Sequence, residues 1–304
     1  MFHLLGISPQ ELYSQLLVGL INGSFYAILS LGLAVIFGML NIINFSHGAQ
    51  YMMGAFIAWI GLAQLPAWTG SADTAMNYWA AIVVAPLVVG LFGIVIERTM
   101  LCRLYRLDPL YGLLLTFGIA LIIEGVFRDW YGISGQRYEI PDALQGAINL
   151  GFMFLPKYRA WVIAASLSVC FVTWYVIERT KLGSYLRAAT ENPQLVQAFG
   201  VNVPLMITLT YGFGVALAGF AGVLAAPIFT VGPKMGADLI IVVFAVVVIG
   251  GMGSILGSIV TGIGLGLVEG LTKVFYSEAS AVVIFVIMAI VLMVRPAGLF
   301  GRER

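Results

Sequence analysis

The sequence predicts an all-α, polytopic transmembrane helical bundle of eight to nine membrane segments, and three observations carry that prediction. Hydrophobic residues fill 61% of the 304 positions against 10% charged, and the mean hydropathy of +1.02 leaves more apolar surface than one water-soluble core can hide. Apolar runs near or beyond ~18–20 residues recur along nearly the whole chain, enough to cross a hydrocarbon layer of roughly 30 Å several times as helices. The runs are continuous rather than alternating, unlike the pattern of a β-barrel. A net charge of +1 leaves no footprint for nucleic acid, and Cys102 and Cys170 are too few for a disulfide framework.

In chain order the segments fall at 12–39, 45–63, 78–97, 110–130, 160–178, 204–229, 238–250, 255–273 and 281–295. The opening MFHLLGISPQELYSQLL holds no Lys or Arg, as expected of a retained first helix rather than a cleaved leader. The seventh segment is too short to cross and runs at once into Gly250-Gly251-Met252-Gly253-Ser254. A re-entrant element, shielded by protein, and a full span therefore fit it equally well. Asp238 before it reads as an N-cap.

Orientation follows from Lys and Arg in short loops. Arg98, Arg103 and Arg106 follow the third segment, Arg179, Lys181 and Arg187 the fifth, and Arg295, Arg302 and Arg304 close the chain. These places are expected in the cytoplasm, which puts the N-terminus outside. The 131–159 loop mixes Arg137, Lys157 and Arg159 with Glu139 and Asp142, and falls outside by parity.

Two patterns repeat. VIERT stands at Val95–Thr99 and again at Val176–Thr180, each where a helix leaves the membrane; it fits either an internal duplication or a convenient interfacial stop. Many of the 36 glycines lie inside apolar segments. Ser254, Ser258, Gly262, Gly266 and Gly270 fall at successive i+4 positions, as do Gly214, Ala218, Gly222 and Ala226, making smooth stripes for close helix packing.

Between two apolar runs, Glu178 to Pro204 carries a large share of the few charges and reads as a docking surface; a connector with its greasy face against the membrane surface fits the same pattern. Within it Asn192 is a candidate N-cap, Pro193 a first-turn residue, Leu195, Val196 and Phe199 recur at helical spacing, and Gly200 offers a stop.

Catalytic chemistry has little to stand on. No Gly-x-x-x-x-Gly-Lys-Ser/Thr loop or His-Glu-x-x-His pair occurs, and His3 and His47 are the only histidines. The polar group Asn44-Phe45-Ser46-His47-Gly48-Ala49-Gln50 interrupts two apolar runs. Asn44 or Ser46 is placed to cap the next helix, a device of transporters whose broken helices face a pathway; an interfacial turn fits the same residues. Glu124 and Glu269 are expected near the ends of their segments, with Lys273 four residues beyond Glu269 as its pairing partner.

Six stretches in order, Asn22–Ala27 (NGSFYA), Met39–Gly48 (MLNIINFSHG), Tyr51–Ala55 (YMMGA), Arg187–Gly200 (RAATENPQLVQAFG), Ile249–Gly257 (IGGMGSILG) and Arg295–Gly301 (RPAGLFG), resemble the branched-chain amino-acid ABC transporter permeases of the LivH type. The resemblance covers nearly the whole chain. It implies an ABC importer permease forming one transmembrane domain over 1–304, with a cytoplasmic coupling loop at 179–203, in the bacterial inner membrane. It implies as partners a second, LivM-like permease, two cytoplasmic ATPases (LivG-like and LivF-like), a periplasmic substrate-binding protein and membrane lipid. The chain itself would hold no cofactor, ATP-Mg being bound by the ATPases, and would be no enzyme. Leucine, isoleucine and valine are the expected cargo, with urea, short amides or aromatic acids the alternative within the family and an ATP-independent channel or ion-coupled transporter the alternative outside it. Asn22, Asn44, Ser46, His47, Gln50 and Glu269 are the expected pathway contacts, and Arg187, Ala188, Ala189, Glu191, Asn192 and Gly200 the coupling residues. Arg187-Ala188-Ala189 stands where the common motif has Glu-Ala-Ala, with Glu191 nearby and Gly200 retained.

Overall fold

Side-chain caps decide where several helices begin. The computed structural model describes residues 8–301 except 41, 106 and 152, so His3, Arg106, Arg302 and Arg304 lie outside the described residues. The helices are α1 Pro9–Leu40, α2 Ser46–Trp59, α3 Leu65–Thr69, α4 Tyr78–Thr99, α5 Pro109–Tyr131, α6 Lys157–Arg179, α7 Lys181–Glu191, α8 Pro193–Ala198, α9 Val203–Ala225, α10 Met235–Gly250, α11 Ile255–Phe275 and α12 Val283–Val294. Asn77, Asp108, Asn202 and Ser254 accept the N–H groups of Ala80, Leu110, Leu205 and Gly257 at 2.8 to 3.1 Å. Each satisfies an orphan amide at the start of α4, α5, α9 or α11.

Among the described residues seven helices are long and apolar enough to cross a membrane, matching segments one to six and eight. α10 has 16 residues and α12 only 12, about 24 and 18 Å at 1.5 Å per residue, both short of the ~30 Å hydrocarbon layer. The sequence marked α10 as short; α12 is a second short element. Asp238 is not the cap of α10, since the helix already begins at Met235 and the Asp238 amide donates to Lys234. In the 131–159 loop a small antiparallel hairpin, β1 Ala147–Asn149 with β2 Phe154–Pro156, sets Ile148 opposite Leu155.

The chain forms two compact units. The first comprises Met1–Ser30, Ile140–Phe171 and Val242–Arg304, the second Leu31–Glu139 and Val172–Ile241. In the first, the small-residue stripe of α11 lies on the first half of α1: a Cβ at Gly262 would stand 2.6 Å from the Ala27 amide nitrogen, and one at Gly266 would strike Gly23. After α12 the chain returns to the end of α10, Leu299 and Phe300 donating to the Ile249 and Gly250 carbonyls at 2.8 and 3.2 Å.

In the second unit α9 is buried along most of its length and α5 along little of it. Gly219 on α9 touches Gly54 of α2 backbone to backbone, and Gly222 meets the Tyr51 carbonyl, so the other stripe is also a packing face. A π turn at Ile60–Gln64 joins α2 to α3. There the Gly61 carbonyl accepts the Met76 amide at 2.9 Å, and such an inserted donor is a recognised cause of local unwinding.

Candidate functional site

α2 begins in the interior. Asn44, Ser46, His47 and Gln50 are all fully buried, and the orphan amides of a helix start cannot be left bare there. Asn44 Oδ1 accepts from the Ser46 amide at 3.1 Å and from Ser46 Oγ at 2.6 Å. Gln50 Nε2 donates to Ser46 Oγ at 3.0 Å, and Asn44 Nδ2 closes the ring on Gln50 Oε1 at 3.2 Å. The Phe45 amide donates to Thr116 Oγ1 of α5. The His47 imidazole lies against Gly32 of α1, where a Cβ would stand 2.9 Å from its Cε1. Tyr211 of α9 completes the group: its hydroxyl is beside Gln50, Ser46 and Asn44 but meets none of them in hydrogen-bonding geometry. Three predicted residues thus form one neutral network holding a helix N-terminus inside the protein. Tyr211 was not predicted, since one tyrosine in an apolar helix gives no signal.

Asn22 and Glu269 meet in the first unit. Glu269 Oε1 accepts from Lys273 Nζ at 2.6 Å and Asn22 Nδ2 at 3.4 Å, while Oε2 accepts from the Tyr26 hydroxyl at 2.8 Å. Glu269 is buried and Lys273 half-buried, and the carboxyl group is met by one cation and two neutral donors. Pairing with Lys273 four residues on was legible; Tyr26 was not. Glu124 lines a narrow cleft of the second unit beside Gly48 and Gly236.

The 179–203 stretch folds as a helix–helix hairpin. α7 buries Gly183, Leu186 and Ala189 at i, i+3 and i+6, a helical face where a coupling loop was expected. Gly183 sits directly on the Ile177 carbonyl, where a Cβ would collide. Arg187 Nη1 donates to that carbonyl at 3.1 Å and pairs with Glu178 at 3.4 Å. Asn192 Oδ1 accepts the Leu195 amide at 3.0 Å, capping α8 as predicted. Gly200, at φ +84°, takes the left-handed conformation that ends it. Val196 packs with Ala189 and Val203. Leu195 and Phe199 do not join that core and are 55% and 79% exposed. Ala188 and Glu191 are exposed as well.

An unpredicted carboxyl group ties the end of α4 to α9. Glu97, 2% exposed near the end of α4, accepts from the Thr208 hydroxyl of α9 at 2.7 Å through Oε2 and from the Tyr105 hydroxyl through Oε1. Burial, then the bond to Glu97, holds the Tyr105 phenol well above its ordinary range, so it remains a donor.

Many apolar helices, polar groups held at a buried helix start and an amphipathic hairpin define a multi-pass membrane permease. Residues 15–292 match the family described as the permease component of branched-chain amino acid transport systems, and the chain belongs to that family. It is 30% identical over 295 residues to the high-affinity branched-chain amino acid permease BraD of Pseudomonas aeruginosa, covering 95% of both chains. It is 28% identical over 310 residues to LivH of Escherichia coli K12, covering 97% of this chain and 98% of that one. A protein carrying the name LivM from Methanocaldococcus jannaschii is 27% identical over 264 residues, covering 75% and 73%.

Proposed function

We propose that this chain is one of two permease subunits of an ABC importer that carries leucine, isoleucine and valine into the cytoplasm by alternating access. The observation that carries the reading is the capped hairpin α7–α8, which leaves Leu195 and Phe199 exposed on a firm base. An apolar side chain exposed at a helix end, rather than folded back on its own core, is suited to a groove on another protein. The partner with that groove is a cytoplasmic ATPase holding ATP-Mg, and the proposed coupling residues are Arg187, Ala188, Ala189, Glu191, Asn192 and Gly200. Likeness to both LivH and LivM proteins supports pairing with a second, related permease, and a periplasmic binding protein would deliver the solute. This subunit performs no bond chemistry. The pathway contacts proposed are Asn22, Asn44, Ser46, His47, Gln50 and Glu269.

The inner-membrane orientation has the N-terminus periplasmic and the C-terminus cytoplasmic. Arg98, Arg103, Arg179, Lys181, Arg187 and Arg295 support it. So does the return of Leu299 and Phe300 to the end of α10: if α10 turned back to the outside, α11 and α12 would deliver Arg295 outside too, away from the other basic clusters.

Reconstitution with both permeases, both ATPases and binding protein in proteoliposomes tests the proposal. Leucine uptake is expected only with ATP inside, and Phe199→Asp is expected to abolish uptake while the chain still inserts. ATP-independent uptake would overturn it.

A further inference from the structure

The second unit holds a cavity that the polar cluster and the hairpin leave unused. It measures about 430 Å³, within the ~300–1,000 Å³ range of small-molecule sites, and lies where the C-terminal end of α5 and the start of α10 come beside α2. Next to its lining residues Gly135 and Thr230, Gln136 and Val231 exchange both backbone hydrogen bonds at 2.8 Å. Thr230 closes on Gly135 so tightly that a Cβ there would stand 2.8 Å from it.

Its lining is unbalanced. Arg128, Lys234 and Asp238 all line it, and none of the three makes an ion pair among the described residues. Tyr51 also lines it, is 1% exposed, and its hydroxyl makes no hydrogen bond among the described residues. An accessible hydroxyl at the wall of a cavity is available to donate to a polar visitor. Phe229 and Leu239 add apolar wall.

We propose that this cavity binds the free zwitterion of an aliphatic amino acid. Its carboxylate is held by Arg128, Lys234 and the Tyr51 hydroxyl, its ammonium by Asp238, and its side chain rests on Phe229 and Leu239. The charge set selects the class: a simple anion leaves Asp238 repelling it, a simple cation leaves Arg128 and Lys234 repelling it, and a neutral amide satisfies neither sign. The inference rests on the amino-acid reading of the proposed function. A zwitterionic lipid headgroup shares the same pair of charges, so the test separates the two.

The test is saturation-transfer NMR on the full chain, with the subunits it co-purifies with, in phosphatidylglycerol nanodiscs without binding protein. L-leucine methyl groups are expected to receive saturation. 4-Methylpentanoate, which lacks the ammonium, and isoamylamine, which lacks the carboxylate, are expected to compete at least tenfold less well. Asp238→Asn is expected to erase the discrimination against 4-methylpentanoate alone, and Tyr51→Phe to weaken leucine about fivefold with an unchanged melting temperature. Unchanged discrimination in Asp238→Asn overturns the proposal, as does loss of the leucine signal when phosphatidylethanolamine replaces phosphatidylglycerol, which would make the occupant a lipid. Wild-type ATP-driven leucine uptake without any leucine signal sinks this site alone; failure of uptake itself sinks the transport reading.

Discussion

VIERT closes both α4 and α6, and its two copies agree at every position but one. Ile96 and Ile177 are buried, Val95 and Val176 are exposed, Arg98 and Arg179 are exposed, and Thr99 and Thr180 each return a hydroxyl bond to the carbonyl four residues back. The glutamates part company. Glu97 is buried between two hydroxyl donors, whereas the Glu178 side chain is 43% exposed and among the described residues meets only Arg187. The difference lies in the chain just beyond each copy. After Thr99 a short turn brings Tyr105 back under Glu97, and Thr208 arrives from α9; after Thr180 the chain enters α7 directly, with Gly183 on the Ile177 carbonyl. An identical pentapeptide therefore sets the helix end but not the fate of its one carboxylate.

The largest expected effect breaks the first copy. Glu97→Ala leaves the half-buried Tyr105 hydroxyl without its acceptor and the Thr208 hydroxyl with only the Pro204 carbonyl, a loss of roughly 3 kcal/mol when both bonds to Glu97 are removed. A clearly lowered melting temperature in detergent is expected, by tryptophan fluorescence, with Glu97→Gln intermediate because the amide oxygen still accepts. A melting temperature equal to wild type in Glu97→Ala would show that the buried carboxylate contributes nothing.

Next comes the turn after the second copy. Gly183→Ala drives a methyl group into the Ile177 carbonyl, an overpacking that costs about 1–3 kcal/mol, and is expected to expose α7 to limited proteolysis. Cys102, at the matching place after the first copy, is exposed, so Cys102→Ala is expected to leave stability within about 0.5 kcal/mol of wild type. Equal protease sensitivity in the two variants would erase the distinction drawn between the copies. Thr208→Val is milder than Gly183→Ala. It removes one neutral donor from Glu97 and is expected to cost about 1 kcal/mol, read as a smaller fall in melting temperature than Glu97→Ala gives.

These contrasts mark where sequence reading reached and where it stopped. Helix ends were legible because they rest on local chemistry: Asn192 and Pro193 start α8 and Gly200 ends it, and the first six segments lie within a few residues of the observed helices. The pairing of Glu269 with Lys273 was legible for the same reason, being four residues apart. Tyr26, Tyr211, Thr208 and Glu97 were not, because each acquires its role from a partner more than a hundred residues away or from a turn whose course the sequence does not spell out. α7 carried a signal that went unread: Gly183, Leu186 and Ala189 share a helical face, but two of the three are small, so their burial does not register as an apolar stripe.

The smallest effect sharpens the comparison most. Glu178 and Arg187 face water, their N–O separation is 3.4 Å, and their side chains are 43% and 46% exposed. Exposed pairs contribute about 0.2–1 kcal/mol at low ionic strength, and less as salt screens them. Arg187 has a second anchor, the Ile177 carbonyl at 3.1 Å, so it stays in place when Glu178 is removed. Glu178→Ala is thus expected to shift the melting temperature hardly at all in about 150 mM salt, and only slightly at about 10 mM, while Glu97→Ala gives the same large loss at both because its partners are neutral hydroxyls. A salt-dependent loss at Glu97, or a salt-independent one at Glu178, would reverse the roles assigned to the two copies.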